Sequence, residues 1–406
     1  MKKLLSVVLA LLMLAVMLPV VAMADDANYC TIEGITEADG TTLKHFDTLT
    51  AAAKAWRESK GIATSGGNFG SHPDELTIDS ISWVISGSVN SGDGTGVNGN
   101  NNNNGLLLSG GYVYPAVKAN SIYVKGVNNA ELKNEIGSDY ALSAAAKTVE
   151  YDGITFPEYV SFNTEAENVT FKNCTFKGGL KVMQAINVTV DNCKFEGDGS
   201  KDFAFFAQSV PANSMEAVQF KNNTVSSFMR GINVQAGSTA TVSITGNTIT
   251  NLTGKDANGG KYGSAIQLTS GASFTVTDNI INIANGLNAF QLYEGLTAEV
   301  TISNNKVTAD YLIWNQAPET TTISSADNTL NIKNANLANA KGELVPDETV
   351  INKAAPTQIV IITPAGDTPK TEPEKNPTTG ANDMVAAAAA LMAVSALGMA
   401  VLSRKK

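Results

Sequence analysis

One eight-residue phrase returns along the middle of the chain. It reads Val169-Thr-Phe-Lys-Asn-Cys-Thr-Phe176, then Val188-Thr-Val-Asp-Asn-Cys-Lys-Phe195, then Val218-Gln-Phe-Lys-Asn-Asn-Thr-Val225. It continues as Val242-Ser-Ile-Thr-Gly-Asn-Thr-Ile249, Phe274-Thr-Val-Thr-Asp-Asn-Ile-Ile281 and Val300-Thr-Ile-Ser-Asn-Asn-Lys-Val307, with fainter copies from Val149 and Ile323. Successive copies start 19, 30, 24, 32 and 26 residues apart, so a unit of about two dozen residues repeats with loops of variable length. Self-similarity at such a period restricts the chain to stacked, solenoid-like architectures.

Each copy carries the same physics. Positions one and three are apolar with polar residues between, the period-two mark of a half-buried strand. Asn, Asp or Gly at positions five and six tolerates the left-handed backbone of a tight turn. Position eight is apolar, so the chain re-enters the core on a new strand. One unit cannot bury its apolar face alone, but units stacked in parallel at about 4.8 Å can. Position six then becomes a column of Cys174, Cys193, Asn223, Asn247, Asn279, Asn305 and Asn328, whose amides can bond along the stack. Asn168, Asn187, Asn222 and Asn251 also read as glycosylation sequons, although turn chemistry already accounts for them.

The phrase resembles the repeat of right-handed parallel β-helix proteins, the fold of pectate lyases, polygalacturonases and many bacterial surface proteins. The resemblance covers roughly residues 76–340 and implies an all-β fold, a right-handed parallel β-helix solenoid.

A solenoid absorbs 406 residues as one domain. Without residues 1–24 and 380–406, the 28 cationic side chains fall to 23 and the 38 acidic ones to 37, a net charge of −14. That balance argues against nucleic acid or anionic lipid as partner. With only His45 and His72, an imidazole zinc site is not expected, and nothing in the sequence calls for a metal or cofactor. Three cysteines do not make a disulfide framework. Cys174 and Cys193 share the ladder position, so both a disulfide and two stacked thiols stay open, and Cys30 has no evident mate.

Both ends read as addresses. Lys2-Lys3, an apolar run from Leu4 to Val21 and Ala22-Met23-Ala24 have the order of a secretory signal peptide cut after Ala24. At the other end, Asn376-Pro377-Thr378-Thr379-Gly380 precedes an apolar stretch from Met384 to Leu402 and then Arg404-Lys405-Lys406. The stretch is long enough to span a bilayer, and the basic tail holds it on the cytoplasmic side. This trio resembles the cell-wall sorting signal of Gram-positive surface proteins, L-P-x-T-G, with Asn376 in place of the usual Leu. The resemblance implies that a sortase cysteine attacks the Thr379 carbonyl, releases Gly380 and passes Thr379 to a peptidoglycan amine. Membrane anchoring is then transient, and the protein ends in the wall.

Between the addresses, residues 25–75 read as an N-terminal cap. Ile32–Thr36 and Thr42–Phe46 flank the turn signal Ala38-Asp39-Gly40. A short helix follows, capped by Thr48 and closed by Gly61, with Leu49, Ala52, Ala53 and Trp56 on one face. Open solenoid ends need such a cover. First coils are expected over Leu76–Val89 and Leu106–Val127, separated by a Gly/Asn-rich insertion from Ser86 to Gly105. Strands are expected to stop near 340. Residues 341–375 then form a Pro/Thr/Glu-rich stalk, ahead of the sorting segment at 376–406.

A second strand precedes most copies of the phrase: Gly231–Gln235, Ala265–Thr269, Ala289–Tyr293 and Tyr311–Asn315. Aligning them puts Ile232, Ile266, Phe290 and Leu312 in one inward row and Val234, Leu268, Leu292 and Trp314 in the next. Facing water are Asn233, Gln267 and Gln291, beside Gln235, Thr269, Tyr293 and Asn315. This amide strip, flanked by Arg230 and Glu294, has groups that hydrogen-bond carbohydrate. Catalysis meets a harder test, since hydrolases of this fold need paired carboxylates. Asp278 and Asp327 share position five but are separated by the coil of Asn304. Asp198 and Asp202 share a loop, in which no basic partner is fixed by the sequence. Arg230 is the one arginine of the coils. The expectation is a secreted, wall-anchored display or glycan-directed binding module, with sortase and peptidoglycan as partners. Two alternatives are a polysaccharide-degrading enzyme on the wall and a purely structural surface component.

Overall fold

Equivalent positions of the phrase pair through their backbones. Val169, Val188, Val218, Val242, Phe274, Val300 and Ile323 are consecutive Cα partners in one continuous parallel sheet. The computed structural model describes residues 28–61, 76–90, 117–133, 140–142, 146–210, 215–257, 260–317, 320–332, 337–338 and 344–345. The signal peptide, most of the stalk, the sorting segment, His72 and the Gly/Asn run 91–105 lie outside the described residues.

Each coil has three faces, because apolar pairs separated by turn residues force the strand to bend twice. The first face stacks Phe203–Gln208, Arg230–Gln235, Ser264–Ser270, Asn288–Leu292 and Tyr311–Asn315. The second stacks the opening strands of the phrase, such as Ala217–Lys221, Thr241–Thr245, Ser273–Thr277, Glu299–Ser303 and Thr322–Ala326. The third stacks the closing strands, from Thr175–Phe176 and Lys194–Glu196 to Lys306–Ala309 and Thr329–Ile332. All pairings between coils on these faces are parallel.

The bend between the second and third faces divides its labour between positions five and six. Position five alone takes the left-handed backbone: Asn173, Asn192, Asn222, Gly246, Asp278, Asn304 and Asp327 all have φ between 52° and 70°. Position six instead turns inward and is buried from Cys174 to Asn328. Each inward Asn accepts from the coil before it and donates onward. Asn247 N and Nδ2 both donate to Asn279 Oδ1, at 3.0 and 2.9 Å, while Asn247 Nδ2 also donates to Phe220 O at 2.9 Å. The same three bonds recur at Asn223, Asn279 and Asn305. The backbone N–H of Cys193 enters this ladder by donating to Asn223 Oδ1 at 2.8 Å. Cys174 and Cys193 are free thiols, each pointing at buried carbonyls, and burial raises the Cys174 thiol well above its ordinary pKa.

Inside, early coils stack rings and later coils stack aliphatic chains. Phe156, Phe176 and Phe195 lie in one column with centroid spacings of 5.1 and 5.0 Å, and Phe220 joins Phe195 at 5.4 Å. Phe205 on the first face closes on Phe220 at 4.8 Å.

The N-terminal segment packs against the first coil. Tyr29–Ile32 pairs antiparallel with the first coil, Tyr29 against Ser86 and Ile32 against Trp83. Thr36 bridges Leu43 and Cys30 bridges Phe46, so the hairpin is held at two points. Helix α1 (Leu49–Ser59) starts where Thr48 Oγ1 accepts from Ala51 N at 3.1 Å. It buries Leu49, Ala52, Ala53 and Trp56.

Three expectations shift. The insertion does not begin at Ser86: the first strand runs Leu76–Asn90 and Ser86 is buried opposite Val127, because the pairing with the strand Val117–Lys133 carries through it. Strands do not stop at 340, since Leu337–Ala338 pairs antiparallel with Leu344–Val345. The last first-face strand also sits one residue out of the expected register. Phe290 faces Ile313, Gln291 faces Trp314 and Leu292 faces Asn315. Three apolar residues in a row, Leu312 to Trp314, leave alternation undecided. The backbone bonds Tyr311 N to Leu287 O (3.2 Å) and Gln316 N to Leu292 O (2.8 Å) decide it.

Candidate functional site

The first face carries the amide strip, and its register sets one outward row: Lys181, Phe206, Asn233, Gln267, Gln291 and Trp314. Trp314, expected inside, therefore follows the amides on the outward side and is half-buried. Gln235 lies opposite Ser270 rather than Thr269, because the register shifts between Val234 and Gln235. The displaced Thr269 donates from Oγ1 to Asn233 Oδ1 at 2.9 Å and accepts from Gln267 Nε2 at 3.3 Å.

The strip is not open surface. Asn233 is 3% exposed, Gln267 2%, Gln291 7% and Thr269 8%. Gln291 Nε2 donates to Gln316 Oε1 at 3.1 Å, so the amides spend their bonding capacity on neighbours. Buried amides without such partners would cost about 1–3 kcal/mol each. Gln235 and Tyr293 are half-exposed at the edge of the face. For the Asn315 side chain nothing is described.

Arg230 opens its strand with its side chain only 5% exposed. Its Nε and Nη2 donate to Asp202 Oδ1 and Oδ2, both at 2.6 Å, a planar two-point pair. Its guanidinium carbon lies 3.8 Å from the Phe203 ring centroid and 6.0 Å from that of Tyr262. Lys255 Nζ reaches Asp202 Oδ2 at 3.7 Å. Tyr262 and Lys255 belong to a two-stranded excursion, Lys255–Ala257 with Gly260–Tyr262. A Cβ at Gly263 (φ +142°) would meet Arg230 Cγ at 2.8 Å, so glycine is what lets the excursion close over the arginine. The basic partner that the loop sequence does not fix for Asp202 is thus Arg230, a coil away, and together they tie the 198–202 loop and the excursion to the first face.

The other candidates stand apart. Asp198 Oδ1 accepts from Ser200 Oγ (2.6 Å) and Ser200 N (2.8 Å), and the hydroxyl bond first of all holds this exposed carboxyl below its ordinary pKa. A general acid needs the opposite shift. Glu294 is exposed beyond the end of Asn288–Leu292, whereas Arg230 begins its strand, so the two flank opposite edges of a face about 15 Å wide. Asp278 and Asp327 occupy left-handed turn positions. Among the described residues no group of three His, Cys, Asp or Glu is placed to hold a metal, and no helix is long and apolar enough to cross a membrane. The expected span 384–402 lies outside them.

Sequence reasoning missed the excursion and its grip on Arg230. The signal was present, for Ala257-Asn258-Gly259-Gly260 is a hairpin-turn string. Replacing Asp202 by Ala is expected to lower stability by about 2 kcal/mol, leaving a nearly buried guanidinium beside Lys255. Asp198→Ala is expected to change it by less than about 0.5 kcal/mol. Equal denaturation midpoints for the two variants would contradict this assignment.

No curated protein and no solved structure gives a match to the chain. Residues 88–281 match the family model described as right handed beta helix region, and with the parallel register of the three faces this gives the chain the fold of a right-handed parallel β-helix.

Proposed function

We propose that this chain is a secreted, cell-wall-anchored surface protein of a Gram-positive bacterium whose β-helix displays a binding surface instead of performing catalysis. The observation that carries the non-catalytic part is the commitment of the charged candidates to structural partners. Asp202 and Arg230 are locked to each other and Asp198 is bonded to Ser200. Glu150 and Asp152, whose carboxylates both reach Lys172 Nζ at 2.7 and 3.5 Å, are likewise ion-paired.

The envelope destination is supported by the two ends of the sequence. A basic start, apolar run and Ala22-Met23-Ala24 export the chain, and Asn376-Pro377-Thr378-Thr379-Gly380 ahead of Met384–Leu402 and a basic tail offers Thr379 to a sortase. The sortase thiol adds to the Thr379 carbonyl, its proton passes to the departing Gly380 amine, and a peptidoglycan amine then displaces the sulfur from the thioester, returning its own proton to the thiol. The acidic, Pro-rich 341–375 segment then spaces the solenoid from the wall.

Thr379→Ala is expected to cut the muramidase-releasable, wall-linked fraction at least tenfold and to move the protein to the membrane and medium. Unchanged wall linkage would remove the anchoring reading. Incubating displayed protein with polysaccharides should yield neither new reducing ends nor unsaturated products. If such products appear and vanish in Arg230→Ala or Glu294→Gln, the wall-held enzyme is the correct reading.

A further inference from the structure

The second face divides into two chemically different halves. Over the earlier coils the column nearest the turn is charged and ion-paired, with Lys172 Nζ 2.7 Å from Glu150 and 3.5 Å from Asp152 and Lys221 Nζ 3.5 Å from Asp191, while the middle column already carries Thr170 and Thr189. From Thr241 onward the charges give way to hydroxyls. The middle column is Ser243, Thr275, Thr301 and Ser324, held in register by consecutive parallel pairings. The column beside it continues with Thr245 and Thr277. Glu299, at the strand entrance, and Ala326 are the departures over these four strands. Unlike the first-face amides, this surface is open: Thr275, Thr301 and Ser324 are exposed.

We propose that this hydroxyl-bearing half of the second face docks an ordered, uncharged polysaccharide. The proposal rests on the surface-module reading and supplies its ligand class. The strands set the hydroxyls about 4.8 Å apart along the solenoid and about 6.7 Å apart along each strand, a repeating grid. Neighbours already pair, with Ser243 Oγ and Thr245 Oγ1 at 3.0 Å and Thr301 Oγ1 and Ser324 Oγ at 3.1 Å. The grid is thereby pre-oriented and loses little rotamer freedom on contact. Hydroxyls both donate and accept, so they match a surface of sugar hydroxyls in either orientation.

The charge pattern selects the partner. In a chain of net charge −10, a patch whose carboxylates lie only at its rim, Glu299 at the entrance and Asp278 and Asp327 in the bordering turn, repels an anionic polymer and holds no charge within the grid to pair with a cationic one. Size points the same way. Four strands of five residues give roughly 250 Å², well below the ~800 Å² per partner of a stable protein interface. A second copy or another globular protein is therefore a poor occupant. A small patch acts well when many copies on one wall meet an extended, repetitive polymer, where multivalency multiplies weak contacts.

The test is depletion of the full-length, detergent-solubilised protein by insoluble cellulose, chitin and β-1,3-glucan particles, with polygalacturonate gel as the charged comparison. Retention on at least one neutral polymer is expected. The Thr275→Lys/Thr301→Lys variant should lose it at least tenfold. Thr275→Val/Thr301→Val keeps β-branching and removes only hydroxyls, so it should lose it about as far and decides the matter if the lysine variant melts early. No retention on any neutral polymer, retention on polygalacturonate alone, or retention unchanged in the valine variant overturns the proposal. A chain that is wall-linked yet not retained would lose this ligand and keep its display role. One that is retained yet never wall-linked would do the reverse.

Discussion

Asn279→Ala is expected to destabilise the protein by about 3–6 kcal/mol, the largest effect of any single polar substitution here. The side chain makes four bonds of the ladder at essentially zero exposure. Its Oδ1 accepts from Asn247 N and Nδ2, and its Nδ2 donates to Asn305 Oδ1 and Ile244 O at 2.9 Å each. Its own backbone N–H donates to Asn305 Oδ1 at 3.0 Å, and only that bond survives the truncation. Two donors and a carbonyl then lose partners where water does not reach, at about 1–3 kcal/mol apiece. Asn279→Asp is a sharper probe. One carboxylate oxygen keeps the Asn247 bonds, but the other faces two acceptors, so burial and repulsion raise its folded-state pKa above the unfolded value. With that sign, the variant is least stable at neutral pH and recovers as pH falls toward the unfolded carboxyl pKa. Asp278→Asn, next door in the left-handed turn, should change stability by less than about 0.5 kcal/mol. Denaturant midpoints at pH 7 and pH 4 check all three. A loss under about 1 kcal/mol for Asn279→Ala would mean the ladder is decoration.

Phe195→Ala should cost about 3–5 kcal/mol. Phe195 is fully buried, stacked at 5.0 Å on Phe176 and tilted at 5.4 Å against Phe220. Truncation opens a cavity between coils that can close only if strands 4.8 Å apart approach further, which their hydrogen bonds forbid. Each aromatic contact adds about 0.5–1.5 kcal/mol beyond area burial. Val225, the next residue in that column, lacks the ring contacts, so Val225→Ala should cost about half as much. Urea denaturation of the two variants separates the outcomes, and equal losses would refute the stacking contribution.

Repetition made the solenoid legible. Seven phrases with apolar residues at positions one, three and eight leave parallel stacking as the way to bury them, and the position-six column follows from that stacking. The cap was legible because Thr48, Gly61 and the Leu49–Trp56 face are local signals. The first face was less so. Its strands carry apolar residues on both sides, as at Leu312, Ile313 and Trp314, so periodicity cannot choose a register. The bulge that sends Thr269 to Asn233 depends on one extra residue that only pairing reveals.

The candidate site divides on the same line. That Asn233, Gln267 and Gln291 share a row could be read from aligned strands, but their burial could not, because it depends on how side chains of successive coils close on one another. The partnership of Arg230 with Asp202 spans 28 residues and depends on how one loop and one excursion fold back on a strand. By itself the sequence determined the stacking and the inward column, since these rest on periodicity and local turn preference. Only the tertiary structure decided which polar face is open and which charges are spent, because exposure and pairing are properties of segments that meet in space and not along the chain.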